Sequence, residues 1–168
     1  MVALVLGEAK PDVVFNALHG TPGEDGSIQG LMDIMGLTYT HSGLATSVIA
    51  IDKELTKQAL VPHGIPMPGG RIVRTEELYR GDPLPRPYVL KPVNEGSSVG
   101  VAIVTNESNY GNPIRRDAVG PWQEFKQLLA EPYIRGRELT AAVLGDRALL
   151  VTELVPKSGF YDFESKYT

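Results

Sequence analysis

Lys91 stands at the end of a short β-favouring run, Tyr88-Val89-Leu90, and is followed by Pro92 and a small polar turn, Asn94-Glu95-Gly96-Ser97-Ser98. A lysine leaving a strand beside such a turn can hold an anion. The ammonium is a compact positive charge, and backbone poor in side chains lets several N–H groups converge on one ligand. Phosphate is the anion that fits. The stretch runs from strand to strand and lacks the GxxxxGK[ST] order that opens a helix, so P-loop chemistry is not indicated. The same residues also describe a surface hairpin with a lysine at its edge, and alone they leave both readings open. His19 is the second candidate, heading a glycine-rich turn, His19-Gly20-Thr21-Pro22-Gly23-Glu24-Asp25-Gly26. It could touch a substrate anion or a proton in transfer, or it could be a structural histidine.

The elements that must position these groups follow from pattern. Residues 99–104, Val-Gly-Val-Ala-Ile-Val, make a second strand, so the polar turn joins two strands around Lys91. Residues 13–18 read as a buried strand delivering His19, and a helix follows with Ile28, Leu31, Met32 and Met35 at helical spacing and Gly36 as its stop. Strand, glycine turn and helix in that order place ligand groups at the carboxyl edge of a parallel sheet. Residues 1–10 are ambiguous between strand and helix, because periodicity cannot separate short apolar runs. Residues 37–47 read as a loop with a short strand at 38–40. Asp52 is an N-cap for a helix through His63, with Gly64 just beyond it, and Lys53 and Lys57 on one face read by default as solvated lysines.

Residues 65–73 are extended and 74–80 form a short turn or helix. Beyond the central hairpin, 106–121 is a loop, and a helix is expected to start near Pro121 with Trp122, Phe125, Leu128 and Leu129 on one face. Two strands, 138–144 and 147–155, are joined at Gly145-Asp146, and a polar, aromatic segment closes the chain.

Composition bounds the function. At 168 residues there is room for one domain or two small ones with a real core. A net charge of −4 gives no basic footprint for nucleic acid, and no run approaches membrane-spanning length. The absence of cysteine rules out disulfides and thiolate metal sites and suits a cytoplasmic protein. Gly 18 and Pro 13 mark a turn-rich α/β chain without internal repeats.

Four motifs in one order, HGTPGEDGSIQG, AIDK, KPVNEGSSVG and GFYDFESKYT, make the chain resemble the D-alanine–D-alanine ligases of the ATP-grasp superfamily. Four in register are far more specific than one, and they favour the phosphate reading of Lys91. The resemblance implies an incomplete ATP-grasp fold preceded by the remnant of a Rossmann-like α/β domain. It divides the chain into 1–50, 51–130 and 131–168. It implies ATP and Mg2+ as cofactors, D-alanine as substrate, and a homodimer as the common assembly. By the same resemblance Lys53 and Lys91 contact the nucleotide phosphates, and Glu95, Gly96, Ser97, Ser98 and Val99 form the loop that closes over them. Glu131, Pro132, Tyr133 and Ile134 match the adenine hinge, Glu138 the acid on the ribose hydroxyls, and His19 the substrate-side histidine. Ser97 also faces the first substrate. Tyr161, Lys166 and Tyr167 match the lid loop, with Lys166 facing the transferring phosphate. Relatives that make depsipeptides can carry phenylalanine at the place of Tyr167, so tyrosine implies a dipeptide product.

The family's opening strand and glycine–serine loop would lie ahead of Met1. Its magnesium ligands and a substrate-carboxylate arginine would follow the lid loop. The resemblance therefore implies a piece of a longer protein, inactive as a ligase on its own and without a nameable metal ligand. Other ATP-grasp ligases of carboxylates with amines or D-lactate, and a nucleotide-binding piece without activity, are the alternatives.

Overall fold

Proline at 11 and a left-handed Lys10 (φ 43°) close the first helix, α1 (Val2–Ala9), whose last turn is capped by Lys10 N–H on the Leu6 carbonyl. The ambiguity of residues 1–10 thus resolves to helix. The computed structural model describes residues 1–107 and 110–155, which fall into two units. One holds Met1–Met67 with Val93–Gly96; the other holds Pro68–Pro92 with the residues from Ser97 on. The lid-loop candidates Tyr161, Lys166 and Tyr167 lie outside the described residues.

In the first unit, residues 13–18 are extended but not the buried strand that their apolar content suggests. Val14 makes one parallel bridge to Tyr39, with Val14 N–H on the Thr38 carbonyl at 2.8 Å and Thr40 N–H on the Val14 carbonyl at 3.2 Å. Phe15 is 77% exposed, and Val13 and Leu18 are about half exposed. Apolar content reports the tendency to be buried, and in the described residues no neighbour covers this segment. Helix α2 (Ser27–Ile34) starts after Gly26 (φ 93°) and stops at Gly36 (φ 66°), burying Ile28, Gln29 and Met32.

A further helix, α3 (Leu44–Ile51), occupies the end of the stretch expected to be loop. Its run, Leu-Ala-Thr-Ser-Val-Ile-Ala-Ile, is rich in β-branched residues, and packing overrides that weak propensity. Two glycines admit it: a Cβ on Gly26 would come within 2.6 Å of Val48 Cγ2, and one on Gly30 within 2.7 Å of Leu44 Cδ1. Asp52 caps α4 (Lys53–Leu60) as expected, its Oδ1 accepting the Glu54 and Leu55 N–H groups at 2.9 Å each. A 3-10 turn (Val61–His63) and a left-handed Gly64 end it.

The second unit is built on a four-stranded antiparallel sheet of β1 (Arg71–Arg74), β2 (Tyr88–Pro92), β3 (Ala102–Val104) and β4 (Gln127–Pro132), in the order β1-β4-β2-β3. A one-turn helix, α5 (Thr75–Leu78), follows β1. Alternate residues of β2 face one core, where Tyr88 and Leu90 meet Leu78, Val104, Trp122 and Leu128. The helix expected from Pro121 is a single 3-10 turn (Pro121–Glu124), and the chain then becomes β4. Leu128, Leu129 and Ala130 are all fully buried, so this strand is apolar on both faces and shows no alternation to separate it from a helix. A second sheet, the hairpin β5 (Glu138–Leu144) and β6 (Arg147–Leu154), turns at Gly145 (φ 65°) as expected. Arg137 and Glu153 pair across its base at 2.8 and 2.9 Å, which lowers the Glu153 pKa and raises that of Arg137.

The link into β2 is pinned by Arg86, whose side chain is 3% exposed. Its guanidinium donates twice to Asp82, at 2.7 and 3.0 Å, and also to the Thr105 and Gly111 carbonyls. Tyr88 Oη donates to the same Asp82 at 2.9 Å. The Asp82 hydrogen bond raises the Arg86 pKa, and burial with the same hydrogen bond pushes the Tyr88 phenol well above its usual range. Removing the carboxylate strands a buried cation, whereas removing the phenol leaves the pair intact. Asp82→Ala is therefore expected to destabilise the second unit by about 3 kcal/mol, and Tyr88→Phe by about 1 kcal/mol. Urea unfolding of the two variants measures both; equal losses would contradict this arrangement.

Candidate functional site

Antiparallel register decides where the chemistry of the second unit stands. Lys91 of β2 lies opposite Leu129 of β4, and Val89 lies opposite Glu131, so Lys91 and Glu131 are diagonal neighbours on the sheet face turned away from Tyr88 and Leu90. Their side chains form an ion pair, with Glu131 5% exposed and Lys91 25% exposed. A carboxylate so far from water needs a cation, and an ammonium so held is fixed in place. The lysine expected to meet phosphate and the acid expected at the adenine hinge are thus brought together.

The next hinge residues diverge in environment. Pro132 ends β4 without an N–H to give, and Tyr133 N–H is spent on the Pro87 carbonyl at 3.1 Å. Ile134 is 68% exposed, and Glu138, also exposed, opens β5 opposite Leu154.

The polar turn after β2 is divided between the units. Its second half, with the second unit, takes positive φ at Ser97 (51°), Ser98 (61°) and Gly100 (70°). Two consecutive non-glycine residues in this region cost about 1 kcal/mol each or more, a strain that accumulates at ligand-binding turns. Gly100 needs glycine twice over, for its φ and because a Cβ there would stand 2.5 Å from Phe125 Cε2 and 2.7 Å from Pro92 Cγ. Val99 beside it is 38% exposed.

The first half of the turn belongs to the first unit. Lys53 holds it at two points: its backbone N–H donates to the Val93 carbonyl at 3.0 Å, and its Nζ to the Glu95 carbonyl at 2.6 Å. The reading of Lys53 as a solvated helix lysine therefore gives way to one that grips the loop. His19 is exposed and stands one residue before the left-handed Gly20 (φ 61°). The turn behind it is held at the Gly23 carbonyl by Asn16 Nδ2 (2.8 Å) and Gln29 Nε2 (2.9 Å). Nothing in the sequence singles out Glu24, yet it closes the turn reciprocally: Oε2 accepts the Gly20 N–H at 2.6 Å, and its own N–H donates to the Gly20 carbonyl at 2.8 Å. Its trace in the sequence is no more than an acid within the glycine-rich turn, five residues after His19. Asp25, next to it, caps Ser27 N–H at 3.0 Å, which lowers its pKa.

An antiparallel sheet carrying a buried-acid-paired lysine beside a small-residue loop is the arrangement of the ATP-grasp fold. The family model described as D-ala D-ala ligase C-terminus matches residues 78–168, and that described as D-ala D-ala ligase N-terminus matches 6–42. The chain belongs to the D-alanine–D-alanine ligase family. It is 86% identical over 99% of its length to the D-alanine–D-alanine ligase of Novosphingobium aromaticivorans, covering 53% of that protein, and 70% identical to that of Zymomonas mobilis, covering 52%. It therefore spans about half the length of these curated relatives. Among solved structures it resembles the D-alanine–D-alanine ligase from Coxiella burnetii, at 33% identity and a TM-score of 0.68 over 86% of this chain and 44% of that one.

Lys91→Ala leaves the Glu131 carboxylate in its buried place without this cation. A loss of about 2 kcal/mol or more is expected in urea unfolding, with a smaller one for Glu131→Gln, which removes the charge and keeps the shape. The reverse order would show that the pair does not govern this face.

Proposed function

We propose that the whole protein of which this chain is part is an ATP-dependent D-alanine–D-alanine ligase of the cytoplasm, supplying the dipeptide for peptidoglycan. The observation that carries this reading is the Lys91–Glu131 pair at the head of a strained small-residue loop, in a chain that both family models match. The three-way division at residues 50 and 130 belongs to the same reading.

A carboxylate is a poor electrophile, and transfer of the ATP γ-phosphoryl to it creates a leaving group; a second D-alanine amine then displaces phosphate. What the protein must supply is position and positive charge. In this reading Lys91 and Lys53 hold the phosphates, and residues 95–99 close over them. Residues 131–134 seat the adenine, Glu138 takes the ribose, and His19 and Ser97 face the first D-alanine. Tyr161, Lys166 and Tyr167 complete the lid. Among the described residues no group of three or more His, Asp or Glu side chains could hold a metal ion, and in this reading the Mg2+ that the family implies takes its ligands from outside them. Among the same residues no helix is long and apolar enough to cross a membrane.

Phosphate release from ATP by the intact protein is expected with D-alanine and not with L-alanine, D-lactate or no acceptor; identical release in all four would sink this reading. Lys91→Ala is expected to lower kcat by about 10²-fold or more, the scale of a lost electrostatic stabiliser. Lys91→Arg should rescue it only partly, since a planar fork does not replace a compact ammonium. An unchanged kcat in folded Lys91→Ala would return the residue to a surface hairpin.

A further inference from the structure

Of the two glycines in the turn after β2, Gly96 is the one whose presence backbone angles do not explain, because it lies outside the positive-φ residues. Its neighbour explains it. A Cβ built on Gly96 would stand 3.1 Å from Glu24 Oε2, the same oxygen that accepts the Gly20 N–H at 2.6 Å. One carboxylate oxygen thus lies between two turns of the first unit, bonded to the residue after His19 and packed against the middle of the phosphate loop. The loop residue before Gly96 is held by Lys53 Nζ, at 2.6 Å from the Glu95 carbonyl.

We propose that Glu24 is a positioning residue that couples nucleotide binding at the loop to the placement of His19, and so to D-alanine binding. This rests on the ligase reading above. An ammonium has three N–H donors, so Lys53 can hold the Glu95 carbonyl and take a phosphate oxygen at once. A phosphate so bound ties the nucleotide to Glu95 and Gly96 through one side chain. Glu24, tethered to Gly20 through both its carboxylate and its backbone N–H, is the neighbour that a shift of Gly96 toward it would press, and the turn after His19 with it. Two sites that bias one element are coupled, and the coupling is reciprocal. A carboxylate does this better than a longer or uncharged group, because the 2.6 Å contact to Gly20 is a charge-assisted hydrogen bond.

The test is isothermal titration of D-alanine into the intact protein, with and without a non-hydrolysable ATP analogue and Mg2+. Wild type is expected to bind D-alanine about fivefold or more tightly in the presence of the nucleotide, the low end of ordinary coupling. Folded Glu24→Ala is expected to bind each ligand alone and to show a coupling factor below about twofold. Should Glu24→Ala fail to fold, Glu24→Gln, which keeps the shape and gives up the charge-assisted bond to Gly20, decides the matter by the same factor. A coupling factor equal to wild type in the folded variant, or no coupling in wild type itself, overturns the proposal while leaving the ligase reading standing. Wild type that binds neither D-alanine nor the nucleotide removes the ligase reading, and this inference with it.

Discussion

A carboxylate buried to 5% exposure must have a cation, and the antiparallel register of β2 against β4 is what brings Lys91 to Glu131. Much of the second unit can be understood from that constraint. The strand that carries Lys91 has to be central, with β3 on one side and β4 on the other, so that its other face can bury Tyr88 and Leu90. The residues entering it have to be fixed, and the Arg86–Asp82–Tyr88 cluster fixes them while tying down the Thr105 and Gly111 carbonyls beyond β3. A single slipped residue would turn Lys91 into the core and Leu90 out of it, so register here is strongly specified.

How much of this could be read in the sequence depended on whether the signal was local. Asp52 as a cap, Gly36 and Gly64 as stops, and Gly145 at the hairpin turn are decisions made within a few residues, and each was legible. The segment from Pro121 was not. Its apolar run is buried on both faces of a sheet, a fact about neighbours far along the chain. The exposed state of residues 13–18 was illegible for the mirror reason: the run is apolar, and what covers it is not written in it. Leu44–Ile51 became a helix against its β-branched content because Gly26 and Gly30 leave room for it.

Candidate site residues divide along the same line. Lys91 and the loop announce themselves by type and spacing, whereas the pairing of Lys91 with Glu131, forty residues away, is a product of strand order. Lys53 looked like a surface lysine because a helix face says nothing of a loop that returns to it; its grip on Val93 and Glu95 exists only in three dimensions. Glu24 was hidden by its setting, since acids in glycine turns are common and its second contact is to a residue with no side chain.

The β5–β6 hairpin pairs with no other strand among the described residues, and every residue of β5 is exposed. Leu150 is 90% exposed, and Leu144, Val143 and Val151 are each about two-thirds exposed or more. Among the described residues neither outer edge has a partner strand, and bare aliphatic side chains stand beside both, the combination that recruits strands from other molecules. Two strands in isolation hold together only marginally in water. That ribbon, more than the modest negative charge, is where the described residues would meet a strand from another molecule.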